Sequence, residues 1–550
     1  MELKKNDIIE IKILKTLLQG FGMGTYNDII IFVPNTCADD YLKVRIVKVK
    51  STYCYGIIEE IIEPSKHRIN KKCKISSKCG GCAFDGVDYG HEVCSKLSGV
   101  NQNLEKIGKI NADVNADEIV KSCGIYGYRN KAQIPVGLSA EGEIVAGFYA
   151  KHSHRIIPYE DCPLQPKLFC TTKDIIIDWM KKNKISPYNE ETRKGLIRHI
   201  YLRYAGATDQ LMVCIVATQL NLPFESELLD NLKQQLGNLK TFLINKNDKN
   251  TNVILGDKNR ILYGDGYITD KIGQLSLRIS PFSFYQINRP QTEKLYSIAK
   301  EFAGLTGNET VLDLYCGIGS IGLFMANNAK KVFGIEIVPQ AVKDAKYNAD
   351  MNKIDNIEFL CLDIVKSHQY LETHNINPDI VVVDPPRKGC GDRLLNTIAK
   401  ISPKKIVYVS CDPATLARDL NTLQSLGYDA KKARCVDMFP RTAHVETVVL
   451  LGRKMVDDRN IEYEYVDYEP KDNEYMRNTK GSATYAEIKS WIKKQYNVSV
   501  SNLYIAQVKD SCGFEKRENY NTGAEGHKVP QCPDEKRKMI LEAFKHFRMI

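Results

Sequence analysis

The chain has 550 residues, of which 43% are hydrophobic and 26% are charged, and its formal net charge is +10. A chain of this length exceeds what one hydrophobic core supports, so three or four domains are expected. The sequence has no apolar run of about eighteen residues, and its start alternates polar and apolar residues, which excludes a membrane span and a signal peptide. We therefore expect a cytoplasmic protein without a membrane partner, acting as a monomer.

Residues 1–62 are predicted to form a small β-barrel or sandwich. Four short apolar stretches have the alternation of strands, and a glycine cluster, Gly20–Gly24, interrupts them. Between Lys43 and Lys78 there are ten Lys or Arg residues and three acids. An OB-like barrel with such a basic surface fits a polyanion such as nucleic acid, although a solvated strand surface would carry the same charges.

A cysteine cluster lies near the start of residues 63–280, which we predict to be a central α/β domain. Cys73, Cys79 and Cys82 fall within ten residues of one another. In a reducing compartment such spacing is typical of metal ligands, and iron–sulfur and zinc sites both fit it. A fourth ligand is needed, and spacing alone leaves several candidates: Cys94, Cys123, Cys162 and Cys170.

The segment YGYRNKAQIPV in the same region interleaves aromatic rings with cations. Tyr126 and Tyr128 are suited to base stacking, and Arg129 and Lys131 to phosphate binding. An ordinary half-exposed strand is the alternative.

Residues 281–455 alternate apolar strands with helical stretches, which predicts a Rossmann-like, doubly wound α/β sheet. The first strand ends at Asp313, and a glycine run that includes Gly317 separates it from a helix, so a ligand can approach the backbone closely. The second strand ends at Glu336, placed to accept hydrogen bonds from ribose hydroxyls, and the third at Asp363, near the expected adenine. The glycine run alone fits NAD equally well, but these acids and a later DPP favour S-adenosylmethionine.

Three further strand ends carry candidate catalytic residues. Asp384 begins the DPP and Arg387 follows it, where enzymes that methylate amino groups carry an aromatic residue, so an amino target is disfavoured. Cys411 follows the fifth strand and Glu446 opens the last one. A thiolate that adds to carbon 6 of uracil makes carbon 5 nucleophilic, and a base must then remove the proton from carbon 5. Each residue alone fits a structural role, but their joint placement favours catalysis.

Six motifs in one order resemble the RNA uracil-5-methyltransferases, which methylate transfer RNA or large-subunit ribosomal RNA with S-adenosylmethionine. The motifs are FSFYQIN, LDLYCGIGSIG, GIE, DPPRKG, SCDPATLARDL and HVET, and the resemblance covers residues 1–453. It implies that Cys411 is the nucleophile and Glu446 the base. It also implies an S-adenosylmethionine site lined by Gln286, Tyr315, Glu336 and Asp384.

The resemblance has further implications for the first half of the chain. It implies that the barrel is a TRAM domain that binds RNA, and that Phe284 lies near the target base. It implies that Cys162 joins the cysteine cluster as the fourth ligand of a 4Fe–4S cluster. Family members with this cysteine spacing carry that cluster and the bacterial transfer RNA enzymes lack it, so 23S ribosomal RNA is the expected substrate. The alternatives are a transfer RNA enzyme and a non-catalytic RNA-binding iron–sulfur protein.

Residues 456–550 lie outside the resemblance. They are predicted to begin with an acidic, tyrosine-rich linker and to continue as a small basic α/β extension. In this extension YAEIKSWIKKQY and the C-terminus are predicted to be helical and LYIAQV to be a strand. An accessory module that contacts RNA and a purely structural cap both fit this composition.

Overall fold

The structure is a computed structural model, and it describes residues 3–151, 153–454, 483, 485–512, 532–547 and 549. The chain divides into two compact units, residues 1–455 and 456–550. Within the described ranges, no helix combines the length and the apolar composition needed to cross a bilayer.

The first five strands close into a barrel in the order β1-β2-β3-β5-β4. Its interior is filled from alternate positions, such as Ile11 and Ile13 of β1. The glycine cluster was expected to separate strands, but it lies largely within β2. Position 22 of this strand requires glycine, because a side chain there would collide with Ile13 and Thr36. The strands are β1 (Ile8–Thr16), β2 (Phe21–Tyr26), β3 (Ile29–Pro34), β4 (Tyr41–Val49) and β5 (Tyr53–Glu63).

A seven-stranded sheet follows, in the order β13-β12-β11-β10-β7-β8-β9, with β14 and β15 as a separate hairpin. Helices α3 and α4 contact each other and bury Trp179 and Leu228 in the core of this sheet. The strands are β6 (Ile119–Val120), β7 (Lys131–Leu138), β8 (Ile144–Tyr149), β9 (Ile156–Pro158), β10 (Ile197–Ala205), β11 (Gln210–Ala217), β12 (Leu239–Lys246), β13 (Lys258–Tyr263), β14 (Ile268–Ile272) and β15 (Leu275–Ile279). The helices are α1 (Ser76–Cys79), α2 (Tyr89–Lys106), α3 (Lys167–Lys182) and α4 (Glu225–Gln235).

An eight-stranded sheet, in the order β18-β17-β16-β19-β20-β22-β21-β6, forms the last part of the first unit. Residues of α5, α6 and α7 are buried in one hydrophobic core, and residues of α2, α8, α9 and α10 in another. Helices therefore cover both faces, as predicted for a doubly wound sheet. The strands are β16 (Thr310–Leu314), β17 (Lys331–Glu336), β18 (Ile357–Cys361), β19 (Ile380–Val383), β20 (Lys405–Ser410), β21 (Tyr428–Val436) and β22 (Glu446–Arg453). The helices are α5 (Arg289–Ala303), α6 (Ser320–Ala326), α7 (Pro339–Met351), α8 (Ser367–Thr373), α9 (Gly391–Ile401) and α10 (Pro413–Ser425).

The short strand β6 belongs to this last sheet although it comes from the central region of the chain. Ile119 pairs with Cys435 and Val120 with Val436, in parallel with β21. The sequence gives no sign of this pairing, because two residues are too few to show a strand pattern.

The described part of residues 456–550 contains three helices and no strand. The helices are α11 (Tyr485–Tyr496), α12 (Asn502–Ser511) and α13 (Asp534–His546). The predicted helix YAEIKSWIKKQY is α11, and the predicted C-terminal helix is α13. The strand prediction for LYIAQV was wrong, and so was the α/β class of this extension over the described residues. Ile505 and Val508, three positions apart, are both buried, which is a helical and not a strand spacing. The predicted acidic linker lies outside the described residues.

Candidate active site

Five strands of the eight-stranded sheet present polar residues at one edge. Strands β18, β17, β16, β19 and β20 are parallel, so their carboxyl ends lie together. The chain order of the strands reverses between β16 and β19, and open α/β sheets bind ligands at such a reversal. The acids predicted from the sequence at these strand ends therefore share one edge of the sheet.

Cys411 and Glu446 are brought together by the antiparallel pairing of β20 and β22. Ser410 lies opposite Thr447, so the thiol that follows Ser410 faces the carboxyl group that precedes Thr447. Burial raises the pKa of Cys411 to about 12, and the negative charges of Glu446 and Asp384 act in the same direction. The Glu446 side chain is 2% exposed, and its Oε2 has no hydrogen-bond partner among the described residues. Burial and Asp384 hold the pKa of Glu446 well above its usual range.

Asp384 follows β19 and completes this group of acids. Gln286 Nε2 donates a hydrogen bond to Asp384 Oδ2 over 3.4 Å, and the backbone carbonyl of Gln286 accepts one from Asn130 Nδ2 over 2.8 Å. Burial raises the pKa of Asp384 to about 7, while the hydrogen bond from Gln286 opposes the shift. The segment FSFYQIN thus reaches the strand edge through Gln286, while Phe284 in the same segment is 62% exposed.

Arg387 acts on the Cys411 thiol and lies next to His444. Arg387 Nη2 lies 3.3 Å from His444 Nε2, and the Arg387 charge lowers the pKa of Cys411. Burial and then Arg387 lower the pKa of His444 to about 4, so this imidazole is neutral near pH 7. His444 lies inside the HVET motif, but no role was predicted for it from the sequence.

Helix α10 holds the loop that carries Arg387. Thr415 Oγ1 donates to the Arg387 carbonyl over 3.0 Å, and Arg418 Nη2 donates to the Lys388 carbonyl over 2.8 Å. Asp419 Oδ2 accepts hydrogen bonds from the Cys390 backbone N–H over 2.7 Å and from a buried tyrosine hydroxyl. These contacts join the segments SCDPATLARDL and DPPRKG in the fold, which the motifs alone do not reveal.

The glycine turn after β16 is built around two carboxylates. Gly322 N–H donates to Asp313 Oδ2 over 2.9 Å, while Asp313 Oδ1 has no hydrogen-bond partner among the described residues. Burial raises the pKa of Asp313 to about 8. Gly317 N–H donates to Glu336 Oε2 over 3.2 Å. Gly317 has a φ of +55°, and no heavy atom of the described residues lies within 4 Å of where its Cβ would be, so the space above this turn is open to them.

A cleft of about 350 Å³ adjoins this turn. Tyr315, at the end of β16, lies on one side of it, and Asp363, after β18, on another. Tyr315 adopts a φ of +62°, a conformation unusual for a bulky residue, and burial raises the pKa of its hydroxyl to about 12. Asp363 caps the turn that follows it by accepting a hydrogen bond from Val365 N–H over 3.0 Å.

The four cysteines expected to bind a metal are close enough to affect one another. Burial and then Cys162 and Cys73 raise the pKa of Cys82. Burial raises the pKa of Cys162 to about 11, and Cys73 and Cys79 add to the shift. Arg129 favours the thiolate of three of them, Cys79, Cys82 and Cys162. Nevertheless, the described residues contain no group of three or more His, Cys, Asp or Glu placed to hold a metal ion.

The other cysteines considered as fourth ligands have different surroundings. Cys94 and Cys123 are exposed, and Cys170 is a buried residue of α3 whose thiol lies 3.9 Å from Asp161 Oδ1. Exposure therefore separates Cys94 and Cys123 from the cluster, and Cys162, unlike Cys170, has a pKa that Cys73 and Cys79 raise.

The loop between β21 and β22, which leads to His444 and Glu446, is fixed by buried charges. Lys96 Nζ lies 2.8 Å from Glu92 Oε1 and 2.7 Å from Asp437 Oδ1, and all three side chains are fully buried. Glu92 Oε1 also accepts from the Arg441 backbone N–H over 2.6 Å. A charge network inside the protein therefore ties α2 to this loop.

In the aromatic and basic segment at residues 126–136, one tyrosine supports a neighbouring loop and the other lies beside a lysine. The Tyr128 hydroxyl donates to the Pro440 carbonyl over 2.9 Å, so this ring supports the loop before Glu446. Lys72 Nζ lies over the Tyr126 ring, 4.2 Å from the ring centre. Burial, Arg203 and Arg129 lower the pKa of Lys131 to about 8.

Comparison with known proteins identifies the family. Residues 207–454 match the family described as tRNA (Uracil-5-)-methyltransferase. An uncharacterized RNA methyltransferase of Halalkalibacterium halodurans is 41% identical over 450 residues, which cover 82% of this chain and 98% of the relative. The chain belongs to the RNA uracil-5-methyltransferase family. An uncharacterized RNA methyltransferase of Clostridium acetobutylicum is 43% identical over 451 residues, with the same coverage.

A solved member of the RNA uracil-5-methyltransferase family shares the fold. The Pyrococcus abyssi tRNA (uracil-54, C5)-methyltransferase, in complex with S-adenosyl-L-homocysteine, has a TM-score of 0.63 and 26% identity. The match covers 80% of this chain and 100% of that one. The chain is therefore an S-adenosylmethionine-dependent RNA uracil-5-methyltransferase, and RNA is its substrate.

The residues around the glycine turn are chemically suited to S-adenosylmethionine. The open space above Gly317 offers room, and Asp313 Oδ1, which has no partner within the part of the chain that the structure describes, offers an acceptor. Glu336 and Asp363 are carboxylates at successive strand ends, and the cleft lined by Tyr315 and Asp363 is large enough for an adenosine group. Gln286 and Asp384 offer an amide and a carboxylate close to the thiol.

Proposed function

We propose that this enzyme methylates carbon 5 of a uridine in 23S ribosomal RNA through a covalent bond between Cys411 and the base. The observation that carries the proposal is the register of β20 and β22, which sets the thiol opposite Glu446 and beside Asp384. A soft nucleophile and a carboxyl group at the ligand edge of the sheet are the two groups that this chemistry requires.

The first step is the addition of the Cys411 thiolate to carbon 6 of the uracil. The electron pair of the carbon 5–carbon 6 double bond moves toward the carbonyl at carbon 4, so carbon 5 becomes nucleophilic. Arg387 is the cation that lowers the pKa of this thiol, and it supports the thiolate. The target nucleotide must leave its stack, because both faces of the ring are needed.

The second step joins carbon 5 to the methyl group. S-adenosylmethionine supplies an electrophilic methyl on a sulfonium and leaves as S-adenosylhomocysteine. In our proposal Gln286, Tyr315, Glu336 and Asp384 hold it, with Asp313, Gly317 and Asp363. The Asp384 carboxylate suits the positive charge of the methyl donor.

Glu446 completes the reaction by removing the proton from carbon 5. The carbon–hydrogen electron pair restores the double bond, and the Cys411 thiolate leaves carbon 6. Glu446 must be ionised for this step, and its raised pKa in the free protein makes its carboxylate a stronger base than an exposed glutamate.

The four neighbouring thiols are proposed to bind a 4Fe–4S cluster through Cys73, Cys79, Cys82 and Cys162. Four soft thiolates are the ligand set that such a cluster requires. The mutual pKa effects support this assignment because they show that the thiols lie near one another. Arg129 supports it in a different way, because its charge favours the thiolates that bind iron. The cysteine spacing is also the argument for ribosomal RNA as the substrate.

We assign residues 1–62 to an RNA-binding TRAM domain, 63–280 to the iron–sulfur domain and 281–455 to the methyltransferase domain. The closed barrel of five strands supports the first assignment. Residues 456–550 are proposed to be a linker and an accessory module.

Transfer RNA is the second candidate substrate. It is favoured by the family description and by the Pyrococcus abyssi neighbour, both of which name transfer RNA. Mapping 5-methyluridine in 23S ribosomal RNA and in transfer RNA from a strain that lacks the gene decides between them. Loss from ribosomal RNA alone supports the proposal, and loss from transfer RNA alone replaces it.

The chemistry is tested by tritium release from RNA labelled at carbon 5 of uracil. The wild-type protein should release tritium only when S-adenosylmethionine is added, and a Cys411→Ser variant should release none. Full activity of the serine variant would contradict the covalent mechanism.

A further inference from the structure

Four aromatic side chains form a cluster on the outside of the barrel. They come from three neighbouring strands, and we call them the barrel ring cluster: Phe21 of β2, Phe32 of β3, and Tyr53 and Tyr55 of β5. The ring centre of Phe32 lies 5.5 Å from that of Tyr53 and 5.8 Å from that of Tyr55. The ring centres of Tyr55 and Phe21 are 6.4 Å apart.

The alternation of each strand places these rings outside. Val33 follows Phe32 and is fully buried, and Cys54 between the two tyrosines is fully buried as well. The four rings themselves are partly exposed. The barrel interior is filled by aliphatic side chains, so the ring cluster is not needed to complete the barrel core. Exposed apolar groups of this kind mark interaction surfaces.

The charges around the ring cluster are positive. Lys151 Nζ lies 5.0 Å from the Phe21 ring centre. Lys48 is paired with Tyr55 across β4 and β5 and shares its outward face. The glutamates of β5 lie toward its other end, after residue 58. Aromatic faces beside lysines are suited to unpaired nucleotides, whose bases stack and whose phosphates carry negative charge.

The ring cluster is continuous with residues 73–84, which we call the cysteine segment. The turn before β2 touches that segment, because a Cβ at Gly20 would come within 2.5 Å of the Ala83 carbonyl oxygen. A Cβ at Gly80 would lie 3.1 Å from Lys151 Cβ, so this lysine spans from the cysteine segment to the ring cluster. The cysteine segment in turn bonds the loop that leads to Glu446, since Phe84 N–H donates to the Arg441 carbonyl over 3.0 Å.

We propose that the barrel ring cluster stacks unpaired bases of the RNA substrate next to the target uridine. The inference deepens the proposed function by naming the substrate element that this surface binds, which is a single-stranded segment. The stacked bases fix where the strand runs, and the lysines hold its phosphates.

The test compares binding and catalysis in three double variants of the full chain. Tyr53→Ala/Tyr55→Ala removes two rings, and Tyr53→Leu/Tyr55→Leu keeps apolar volume without a π face. Ile61→Ala/Ile62→Ala is the control, because it removes two exposed apolar side chains (40% and 38%) at the other end of the same strand, β5. Thermal unfolding of each variant checks that the barrel is intact.

The probes are a labelled oligouridylate and a stem-loop with and without a single-stranded flank, measured by fluorescence anisotropy. The alanine and leucine variants should bind the oligouridylate and the flanked RNA about ten- to a hundredfold more weakly, while the control binds like wild type. The stem-loop without the flank should not distinguish the variants.

Several outcomes overturn the inference. Wild-type affinity of the alanine variant rules out the ring cluster as the site. Wild-type affinity of the leucine variant with loss in the alanine variant shows an apolar contact without stacking. Equal weakening in the control assigns the effect to the barrel as a whole. Failure of the proposed function is seen separately, as absence of tritium release by the wild-type protein on RNA that it binds.

Discussion

Phe84 and Arg441 form two hydrogen bonds, and each residue is the donor in one of them. Phe84 N–H donates to the Arg441 carbonyl over 3.0 Å, and Arg441 Nη1 donates back to the Phe84 carbonyl over 3.3 Å. Arg441 also forms a 3.3 Å ion pair with Glu92, and both side chains are almost fully buried. The cysteine segment and the loop before Glu446 are therefore one connected piece of structure.

Replacing Arg441 by methionine should destabilise this connection. The Phe84 and Val87 carbonyls, which both accept from Arg441 Nη1, and Glu92 lose a buried partner, which costs about 3 kcal/mol. We expect a thermal unfolding midpoint several degrees lower, together with faster hydrogen exchange in residues 437–446. Arg434→Met is the control, because its 2.9 Å ion pair with Glu301 is partly exposed and contributes little. Equal midpoints of the two variants would contradict this account.

A Glu446→Gln variant should transfer the methyl group but fail to release the RNA. The amide cannot remove the carbon-5 proton, so the bond from Cys411 to carbon 6 persists. Denaturing gel electrophoresis should show a protein–RNA adduct that needs S-adenosylmethionine, and adding Cys411→Ser should abolish it. Free turnover by the glutamine variant would remove Glu446 from its assigned role.

The Cys411 thiol should react with iodoacetamide faster as the pH rises. Its pKa is raised to about 12, so the thiolate is a minor form at neutral pH and grows about tenfold for each pH unit between pH 7 and 9. Mass spectrometry of the Cys411 peptide measures the rate. Arg387→Gln should slow the reaction, because this guanidinium lowers the thiol pKa. A rate that levels off below pH 9 would show a depressed pKa instead.

An alanine at Gly317 should weaken the binding of S-adenosylhomocysteine. Its methyl group would enter the open space above the turn, where we place the cofactor. Gly307→Ala is the matched control: Gly307 has a φ of +95° and likewise has no heavy atom within 4 Å of an added Cβ, but it lies outside the turn. Both variants carry backbone strain of about 1 kcal/mol or more. Calorimetry should show a loss of tenfold or more for Gly317→Ala only, and equal affinities would argue against this cofactor position.

Protein purified without oxygen should be brown and contain about four iron atoms per chain. Cys162→Ser should lose iron, whereas Cys170→Ser should keep it, because Cys170 is a buried helix residue near Asp161. Iron analysis and the absorption spectrum measure both. Zinc in place of iron would refute the cluster assignment.

The placement of the acids at the sheet edge could be predicted because the strands are parallel. Apolar runs that each end in a polar residue put Asp313, Glu336 and Asp384 at one edge whatever the loop details. The register of β20 and β22 needed the structure, because β22 returns antiparallel after a loop that the sequence does not orient.

Other features depend on contacts between distant residues. Asp419 accepts the Cys390 backbone N–H from another loop, and Lys96 pairs with Asp437, 341 positions away. The LYIAQV stretch alternates over six residues, which is too short to separate a strand from a helix without its packing partners. Local pattern therefore predicted the site's edge but not the network that holds it.

The pairing of β6 with β21 makes the methyltransferase sheet discontinuous along the chain. A gene fragment that begins at residue 281 would leave β21 with an open side and would also lack α2, which packs on α10. Expressed alone, such a fragment should aggregate through that unpaired edge. Efforts to trim this enzyme to a minimal catalyst should therefore keep β6 and α2, together with Phe84, which bonds the loop before Glu446.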